Sequence, residues 1–525
     1  MELSLYYIYM LHTQHKQTHT RGLSKNIDKM SFNLQVFLFY SLPIIFALLV
    51  SKLYFSSKKS HKNLPPSPPR LPLIGNLHQL GSSTHRVLQS MAQTYGPLML
   101  LHFGTVPVIV ASSADAAREI TKTHDVIFSN RPFINIAHRL FYNSKDIGFA
   151  QYGEYWRQVK SIAVLHLLSN KRVQSYQQVR EDEVAHLIKK IQESNESVID
   201  LCELLISLTN NVISRVALGR TYEGMGVNYK NIPVRIGAML GRFSVGSYIP
   251  WLAWVDRLTG LHREADQLAK EIDEFYEGVI EEHVNKKVVD VEGQDLVDIL
   301  LDLQRDNSTG FVIERYTIKG IIMDLFGAGT ETTFTNLEWA ISELLKNPHA
   351  MKELQQEARK IGKGRLMIPE DDIDKMPYLK AVIKETLRLH VPVPLLIPHE
   401  STKDVNLLGY DIPSGTQVMI NAWAIARDPS IWEHPDEFRP ERFLNTPTDY
   451  KGFHFEFIPF GAGRRKCPGM GFAIAINELA LANLVYKFEF ALGEEGLDMT
   501  ESDGVTAHRK YPILVTATPF LGDSM

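Results

Sequence analysis

The sequence has little cysteine. Cys202 and Cys467 are its two cysteines among 525 residues, so a disulfide framework is not expected. Because no Cys-x-x-Cys pair occurs, a structural zinc site is not expected either. Cys202 lies in the apolar stretch 198–205, where a small, buried hydrophobic side chain is its simplest role. Any cysteine chemistry in this protein is therefore expected at Cys467.

The sequence also lacks a strong excess of charge of either sign. Its net charge is −4, and 44 % of the residues are hydrophobic and 22 % charged, which is ordinary for a globular protein. Nucleic acid is not an expected partner, since a basic excess is missing. Length alone is compatible with two to four domains, but residues 72–520 show no linker and no internal repeat.

Short strand patterns alternate with long helical patterns along this body. The segment 285–307 mixes charged residues with glycine, and we expect a mobile connection there. The pattern predicts a mainly α protein with small β-sheets. The candidate strands are residues 98–103, 108–110, 417–420 and 513–516.

A long apolar run lies near the N-terminus. No charged residue occurs between Lys29 and Lys52, and residues 32–50 are rich in Phe, Leu, Ile and Val. About 20 apolar residues span a bilayer, so we predict a transmembrane anchor at residues 30–51. A cleaved signal peptide is the alternative, but no Ala-x-Ala site follows. Lysines behind the run place its C-terminal side in the cytosol. These lysines are Lys52, Lys58, Lys59 and Lys62.

Two segments flank the predicted anchor. Residues 1–29 carry cations that oppose the predicted orientation, and Met30 opens a sequence typical of an anchor start. Our hypothesis is that Met30 is the initiator and that residues 1–29 are an upstream extension; an organelle transit peptide is the alternative. Residues 52–72 are basic and rich in proline, which predicts a stiff, extended hinge.

Cys467 lies in a basic loop that is rich in glycine. Residues 460–469 are Phe-Gly-Ala-Gly-Arg-Arg-Lys-Cys-Pro-Gly. Glycine lets a backbone approach a flat group closely, and neighbouring cations favour the thiolate. The apolar, helical stretch 472–476 follows, and a helix N-terminus favours an anion as well. A lone thiolate on such a loop suits the axial ligand of a haem iron; an inert, buried cysteine is the alternative.

This loop resembles the haem-binding loop Phe-x-x-Gly-x-Arg-x-Cys-x-Gly of the cytochrome P450 monooxygenases. The resemblance covers nearly all of the chain from residue 32 onward. It is closest to the plant microsomal seventy-one family, as segments 155–161 and 168–173 show. It implies the cytochrome P450 fold, with a single catalytic domain over residues 73–525 behind an N-terminal transmembrane anchor. It also implies haem b as the cofactor and Cys467 as the axial ligand of its iron.

A second motif lies in the segment 320–345, which is predicted to be one long helix. Residues 328–333 are Ala-Gly-Thr-Glu-Thr-Thr. The Thr332 hydroxyl can compete for the carbonyl of residue 328 and open the helix locally, and Glu331 places an acid beside it. An acid and a hydroxyl can relay protons. The motif is similar to the family's oxygen-activating motif, which implies catalytic roles for Glu331 and Thr332; an ordinary amphipathic helix is the alternative.

The resemblance also assigns residues to the scaffold, the cofactor and the substrate. The family often has arginine where this chain has His399, so a contact of His399 with a haem propionate would be sensitive to pH. The implied structural residues are Glu385, Arg388 and Arg442. The implied cofactor-binding residues are Trp156, Lys160, His399, Phe460, Arg465 and Gly469. The implied residues of the substrate pocket, which are mostly apolar, are Ile134, Leu325, Phe326, Val393, Ile397 and Val505.

The resemblance implies a monooxygenase that depends on NADPH and dioxygen and lies in the endoplasmic reticulum membrane. It would be single-pass, in contact with lipid, with the catalytic domain facing the cytosol. Electrons would come from NADPH through NADPH-cytochrome P450 reductase docking near residues 464–466, and cytochrome b5 is a further candidate partner. The substrate would be a small hydrophobic plant metabolite such as a terpenoid or a coumarin. Two alternatives remain at this point: a haem-thiolate isomerase or dehydratase that needs no reductase, and a non-catalytic membrane haem-binding protein.

Overall fold

The structure is a computed structural model. It describes residues 63–222, 232–285, 294–306, 310–493, 496–502 and 504–520, together with residues 41 and 44. Contacts divide the chain into one unit of residues 1–62 and 71–73 and another of residues 63–70 and 74–525. The predicted extension 1–29, and all of the predicted anchor 30–51 except residues 41 and 44, lie outside the described residues.

Helices make up most of the larger unit. The α-helices are α1 (Thr84–Tyr95), α2 (Ala114–Arg118), α3 (Asn135–Leu140), α4 (Glu154–Ile162), α5 (Asn170–Ser175), α6 (Gln177–Glu193), α7 (Leu201–Leu218), α8 (Ile232–Leu240), α9 (Val245–Tyr248), α10 (Trp254–Leu258), α11 (Leu261–Asn285), α12 (Leu296–Asp306), α13 (Arg315–Met323), α14 (Gly329–Lys346), α15 (Pro348–Gly362), α16 (Pro377–Leu389), α17 (Ala422–Ile425) and α18 (Met470–Lys487).

The strands form small sheets. They are β1 (Leu98–Phe103), β2 (Val106–Ala111), β3 (Ile199–Asp200), β4 (His399–Glu400), β5 (Val405–Leu407), β6 (Tyr410–Ile412), β7 (Gln417–Ile420), β8 (Phe488–Leu492) and β9 (Leu514–Pro519). One sheet has the order β1-β2-β7-β4, another β3-β9-β8, and β5 pairs with β6. All four predicted strands are present, with bounds that differ by up to three residues.

The core lies where the long helices cross. α14 packs against α7, α16 and α18, and α6 packs against α7 and α18. Leu208, Leu337 and Leu481 are buried in one continuous hydrophobic cluster. Burying such a side chain stabilises the fold by about 1.5–3 kcal/mol. α18 begins at Met470, three residues after Cys467, and so joins the loop of Cys467 to this core.

The predicted single helix over 320–345 is interrupted. α13 ends at Met323, residues Asp324–Ala328 form a π-helical turn, and α14 begins at Gly329. The Thr332 hydroxyl donates a hydrogen bond to Ala328 O at 2.8 Å, as predicted. The wider turn lies directly before this bond, so the helix is locally opened where the sequence pattern placed the opening.

The predicted mobile connection over 285–307 is wrong in its second half. Residues Leu296–Asp306 form α12, with Leu296, Leu300 and Leu301 buried. The Asp295 carboxylate accepts a hydrogen bond from Asp298 N at 3.0 Å and caps the helix start. The charges before it hid this amphipathic pattern from the sequence interpretation. Residues 286–293 and 307–309 lie outside the described part of the chain.

Among the described residues, α7 meets the length and apolarity that a membrane-crossing helix requires. Since 67 % of it is buried inside the protein, it serves as a core helix. Cys202 lies on α7 and is half-buried. Its thiol donates to Glu338 Oε1 at 3.2 Å and accepts a hydrogen bond from Ile513 N at 3.3 Å. It therefore has polar partners and is more than the apolar side chain that the sequence predicted.

Candidate active site

An internal cavity of about 280 Å³ lies against both α14 and α18. Cys467 contributes to one wall and Thr332 to another. The structure thus brings together two residues that are far apart in the sequence. All of the predicted cofactor-binding residues also line this cavity: Trp156, Lys160, His399, Phe460, Arg465 and Gly469.

Glycine shapes the loop that carries Cys467. Gly461 and Gly463 have φ angles of 69° and 68°, which side chains rarely adopt. A Cβ at Gly463 would also collide with the carbonyl oxygen of Thr121. Cys467 N donates to Phe460 O at 3.0 Å and closes the loop. The thiol is thereby held at the cavity wall just before α18.

The surroundings of the Cys467 thiol have opposing effects on its pKa. Its accessible surface faces the cavity, and protein atoms enclose the site. Burial raises the pKa of Cys467, whereas the N–H groups of Gly469 and Met470 and the charges of Lys160 and Lys466 lower it. Burial outweighs them, so the predicted net lowering of this pKa is wrong for the chain alone. A bound metal ion deprotonates a coordinating thiol by its own charge.

Cations surround one edge of the cavity. The Arg465 guanidinium carbon lies 4.1 Å, and Lys160 Nζ 5.1 Å, from the centroid of the Trp156 indole. Arg465 donates to Ser129 O at 2.7 Å. Burial, followed by the charge of Arg465, lowers the pKa of Lys160 to about 8. Burial likewise lowers the pKa of Arg465 to about 10, so both side chains are mainly cationic at neutral pH.

Arg131 is a cavity residue that the sequence analysis missed. Its guanidinium donates to Gly148 O at 3.0 Å and to Pro398 O at 2.8 Å, and it lines the cavity. Burial and the charge of Arg465 lower its pKa. No motif marks Arg131 in the sequence, because its partners come from distant segments.

His399 does not have the predicted sensitivity to pH. Its Nδ1 donates to Phe128 O at 2.8 Å. Burial and the charge of Arg131 hold its pKa well below 6.5. The imidazole is therefore neutral across the physiological range, and it offers a hydrogen-bonding group to the cavity instead of a charge.

Glu331 and Thr332 are neighbours in sequence but face different surroundings. Thr332 lines the cavity. Glu331 is buried elsewhere and accepts a hydrogen bond from Thr506 Oγ1. Burial raises the pKa of its carboxyl group, and the Thr506 hydrogen bond lowers it by less. The structure thus places the hydroxyl at the cavity and the acid behind it.

A larger cavity of about 920 Å³, the outer cavity, adjoins the first one, the inner cavity. Val393 and Ile397 line both cavities. Ile134 and Val505 line the outer cavity, and Leu325 lines the inner one.

Phe326 lines neither cavity, so its prediction as a pocket residue is wrong. It is 2 % exposed, and its ring centroid lies 6.4 Å from that of Phe275. In the π-helical turn Leu325 faces the cavity, whereas the next side chain points into the core.

Glu385 pairs with two arginines. Arg388, one turn away on α16, makes hydrogen bonds of 2.7 and 2.8 Å to the two Glu385 oxygens. Arg442 Nε donates to Glu385 Oε1 at 2.9 Å. Glu385 and Arg388 are completely buried. The three predicted structural residues therefore form one ion-pair network, which joins α16 to the segment that contains Arg442.

Comparison with known proteins identifies the family of this chain. A sequence model described as Cytochrome P450 matches residues 65–516. Cytochrome P450 71A4 from Solanum melongena is 54 % identical over 502 residues, which cover 92 % of this chain and 99 % of that relative. Psoralen synthase from Ammi majus is 52 % identical over 93 % of this chain and 98 % of its own length. The chain belongs to the cytochrome P450 family.

Solved structures agree with this assignment. A solved structure of a zebra fish cytochrome P450 with abiraterone superposes with a TM-score of 0.72 at 28 % identity, covering 83 % of this chain and 99 % of the other. The resemblance to the plant seventy-one family and the predicted fold are both confirmed. This cytochrome P450 is a monooxygenase that oxidises specialised metabolites. Its cofactor is haem b, its electrons come from a reductase, and NADPH is the typical donor.

The residues of the inner cavity fit haem b. The Cys467 thiol can bind its iron, since a thiolate is an established haem ligand. Arg131, Lys160 and Arg465 lie at one edge and can offset the charge of two propionates. Apolar side chains such as Phe460 line other parts of the wall and can contact a flat macrocycle. This arrangement of one thiol, clustered cations and apolar surface matches the three chemical parts of the cofactor.

Proposed function

We propose that this cytochrome P450 oxidises a small hydrophobic plant metabolite, such as a terpenoid or a coumarin, at the junction of its two cavities. The residues that line both cavities, Val393, Leu396 and Ile397, are apolar. Ligand pockets of this size are mostly apolar, and a few polar groups orient the ligand. A substrate that entered the outer cavity would therefore reach Leu325 and the inner cavity along a continuous apolar surface.

The observation that carries the proposal is that Cys467 and Thr332 line one cavity. Haem bound through Cys467 supplies the redox chemistry by which one oxygen atom of dioxygen enters the substrate. Trp156, Lys160 and Arg465, which line the same cavity, would hold the carboxylates of the haem. Thr332 presents a hydroxyl to the cavity and passes protons into it, and Glu331 is the acid that resupplies this hydroxyl.

We further propose that the protein lies in the endoplasmic reticulum membrane, with a single span at residues 30–51 and its catalytic domain in the cytosol. The apolar run and the lysines behind it support this topology. Family membership implies a reductase as the redox partner and a small-molecule substrate; cytochrome b5 is a candidate second electron donor. Arg464 and Lys466 are the outward cations of the predicted docking region, because Arg465 points inward.

The test uses microsomes that contain the full chain and a plant reductase. Terpenes, coumarins and amine precursors are supplied with NADPH and isotopically labelled dioxygen, and products are identified by mass spectrometry. A labelled product that requires NADPH is expected. Cys467→Ser is expected to abolish it together with the thiolate signature of the reduced carbon monoxide complex, whereas Cys202→Ser, the matched control, keeps both. If Cys467→Ser retained that signature, the assigned iron ligand would be wrong.

A further inference from the structure

The Glu331 carboxylate is held from two sides, neither of which is the inner cavity. Thr506 Oγ1 donates a hydrogen bond to Glu331 Oε1. On the other side, Gly237 of α8 packs so closely that a Cβ there would collide with Glu331 Oε2. Glu331 is 8 % exposed. Thr506 thus supplies a hydrogen bond to a carboxyl group that keeps only a small surface exposed to water.

The loop 504–509, which contains Thr506, is itself fixed on α14. Trp339 Nε1 donates to Ala507 O at 2.7 Å. Arg509 N donates to Glu338 Oε2 at 3.0 Å. Two hydrogen bonds between this loop and α14, one donated by each, therefore set the position of the loop along the helix.

A ligand in the outer cavity would touch both segments that hold Glu331. Val505, which precedes Thr506, lines this cavity. So does Ala238, which follows Gly237 in α8. Because interiors are close-packed, a small displacement of either segment changes the space around the carboxylate.

We propose that Thr506 is a positioning residue for Glu331, and that it ties the orientation of this acid to occupation of the outer cavity. The proposal rests on the proton-relay function proposed above for Glu331 and Thr332. These two side chains are adjacent in α14 but face different surroundings. A proton that passes from Glu331 to Thr332, directly or through one water, requires the carboxyl group to keep one orientation, since proton donors act within hydrogen-bond reach.

The relay conserves protons without using the Thr506 proton. The Thr332 hydroxyl releases its proton into the inner cavity, the Glu331 carboxyl group replaces it, and water reprotonates the resulting carboxylate. Thr506 keeps its own proton throughout and fixes the direction of the carboxyl group. Removing the Thr506 hydroxyl therefore leaves every proton donor of the relay in place. It changes only the orientation of the Glu331 carboxyl group.

The test compares Thr506→Val, which has nearly the same shape, with Thr506→Ser, which keeps the hydroxyl. The full chain, with reductase, is given the panel compound that was oxidised in the preceding experiment, and product and peroxide per NADPH are measured. Thr506→Val is expected to lower product per NADPH by about threefold to tenfold, the effect of one hydrogen bond to a carboxyl group. Thr506→Ser is expected to retain the wild-type ratio.

A double-variant comparison separates positioning from a general structural effect. Glu331→Gln is expected to lower the same ratio, and Thr506→Val is expected to add nothing in that background, because the group that it orients is already disabled. Gly237→Ala, which presses on the carboxylate from the opposite side, is expected to lower the ratio as well. The solvent isotope effect on product formation is expected to change in Thr506→Val and to stay unchanged in Thr506→Ser.

The possible failures are distinguishable. If Glu331→Gln leaves product per NADPH unchanged, the proposed relay is wrong. If Glu331→Gln lowers it but Thr506→Val does not, the relay stands and the role of Thr506 is wrong. A full additional effect of Thr506→Val in the Glu331→Gln background would also overturn the positioning role, since it would show that Thr506 acts independently of Glu331.

Discussion

The guanidinium of Arg465 lies over the indole of Trp156, with 4.1 Å between its central carbon and the ring centroid. The indole N–H of Trp156 donates to Ile147 O at 3.0 Å, which fixes the plane of the ring. The pair therefore holds a cation at the cavity edge in a set direction.

Arg465→Ala is expected to weaken haem retention, because it removes one of the cations that we propose offset the charge of the propionates. An effect of about tenfold in the rate of haem loss is expected, as for one charge-assisted hydrogen bond. Transfer of haem to an excess of apomyoglobin, followed by absorbance, measures this rate. The control is Arg464→Ala: that side chain faces outward and pairs with Asp125 at 2.8 Å. Equal rates for the two variants would contradict the assignment.

Thr332→Ala is expected to uncouple the reaction, so that NADPH is consumed but peroxide replaces product. The loss of product per NADPH should be about tenfold or more, since the hydroxyl is the proposed relay group at the cavity. Thr335→Ala is a matched control, because Thr335 makes the same 2.8 Å bond to a carbonyl in α14 but faces away from the cavity. An unchanged ratio in Thr332→Ala would remove Thr332 from the mechanism.

Arg388→Lys is expected to destabilise the fold by about 3–5 kcal/mol, because lysine cannot make the paired hydrogen bonds and leaves buried Glu385 partly unpaired. Guanidinium denaturation followed by circular dichroism gives the free energy of unfolding. Arg305→Lys tests an ion pair of the same sequence spacing on the surface. Arg305 and Asp302 are both exposed, and Arg305 Nη1 lies 3.3 Å from Asp302 Oδ1. That change is expected to stay within about 0.5 kcal/mol. A similarly small effect at Arg388 would show that the network is not a scaffold.

Stability is expected to fall with rising pH because of Glu338. Burial raises its pKa from 4.5 to about 7, although Arg509 N and the Cys202 thiol donate to it. Between these values the folded state holds a proton that the unfolded state has released. This contribution is therefore full below about pH 4.5 and is lost as the pH rises through 7.

Glu338→Gln is expected to remove this contribution to the pH dependence of stability. The fall in the free energy of unfolding between pH 5 and 8 should become smaller by about 1–3 kcal/mol. Denaturation midpoints at several pH values, compared with wild type, measure the difference. Glu193→Gln is the control, since Glu193 is exposed and makes a long surface pair with Lys189 at 3.7 Å. Parallel curves for wild type and Glu338→Gln would mean that Glu338 titrates normally.

Local patterns predicted the parts of this protein that depend on neighbouring residues. The glycines around Cys467 and the short spacing to α18 fix the thiol loop within one segment. The Thr332 hydroxyl bonds a carbonyl four residues away, and Glu385 and Arg388 are one helical turn apart. Backbone geometry decides such contacts, so they can be predicted before the fold is known.

Contacts between distant segments could not be predicted in this way. Arg131 reaches carbonyls more than 260 residues away, and nothing beside it in the sequence marks it as a cavity residue. The amphipathic pattern of α12 was masked by the charges before it. Phe326 and Leu325 have similar sequence surroundings, yet the π-helical turn sends one into the core and the other to the cavity.

The sequence by itself determined the family and the mainly helical fold, and it singled out Cys467 as the proposed haem ligand and Glu331 with Thr332 as the proposed proton relay. Each of these rests on residue types at fixed short spacings. Only the tertiary structure decided that Thr506, 175 residues from Glu331, holds that acid, and that burial raises the pKa of the Cys467 thiol despite its basic neighbours. The contact and the pKa both depend on which side chains exclude water from the site. The packing of segments that are distant in the chain decides which side chains those are.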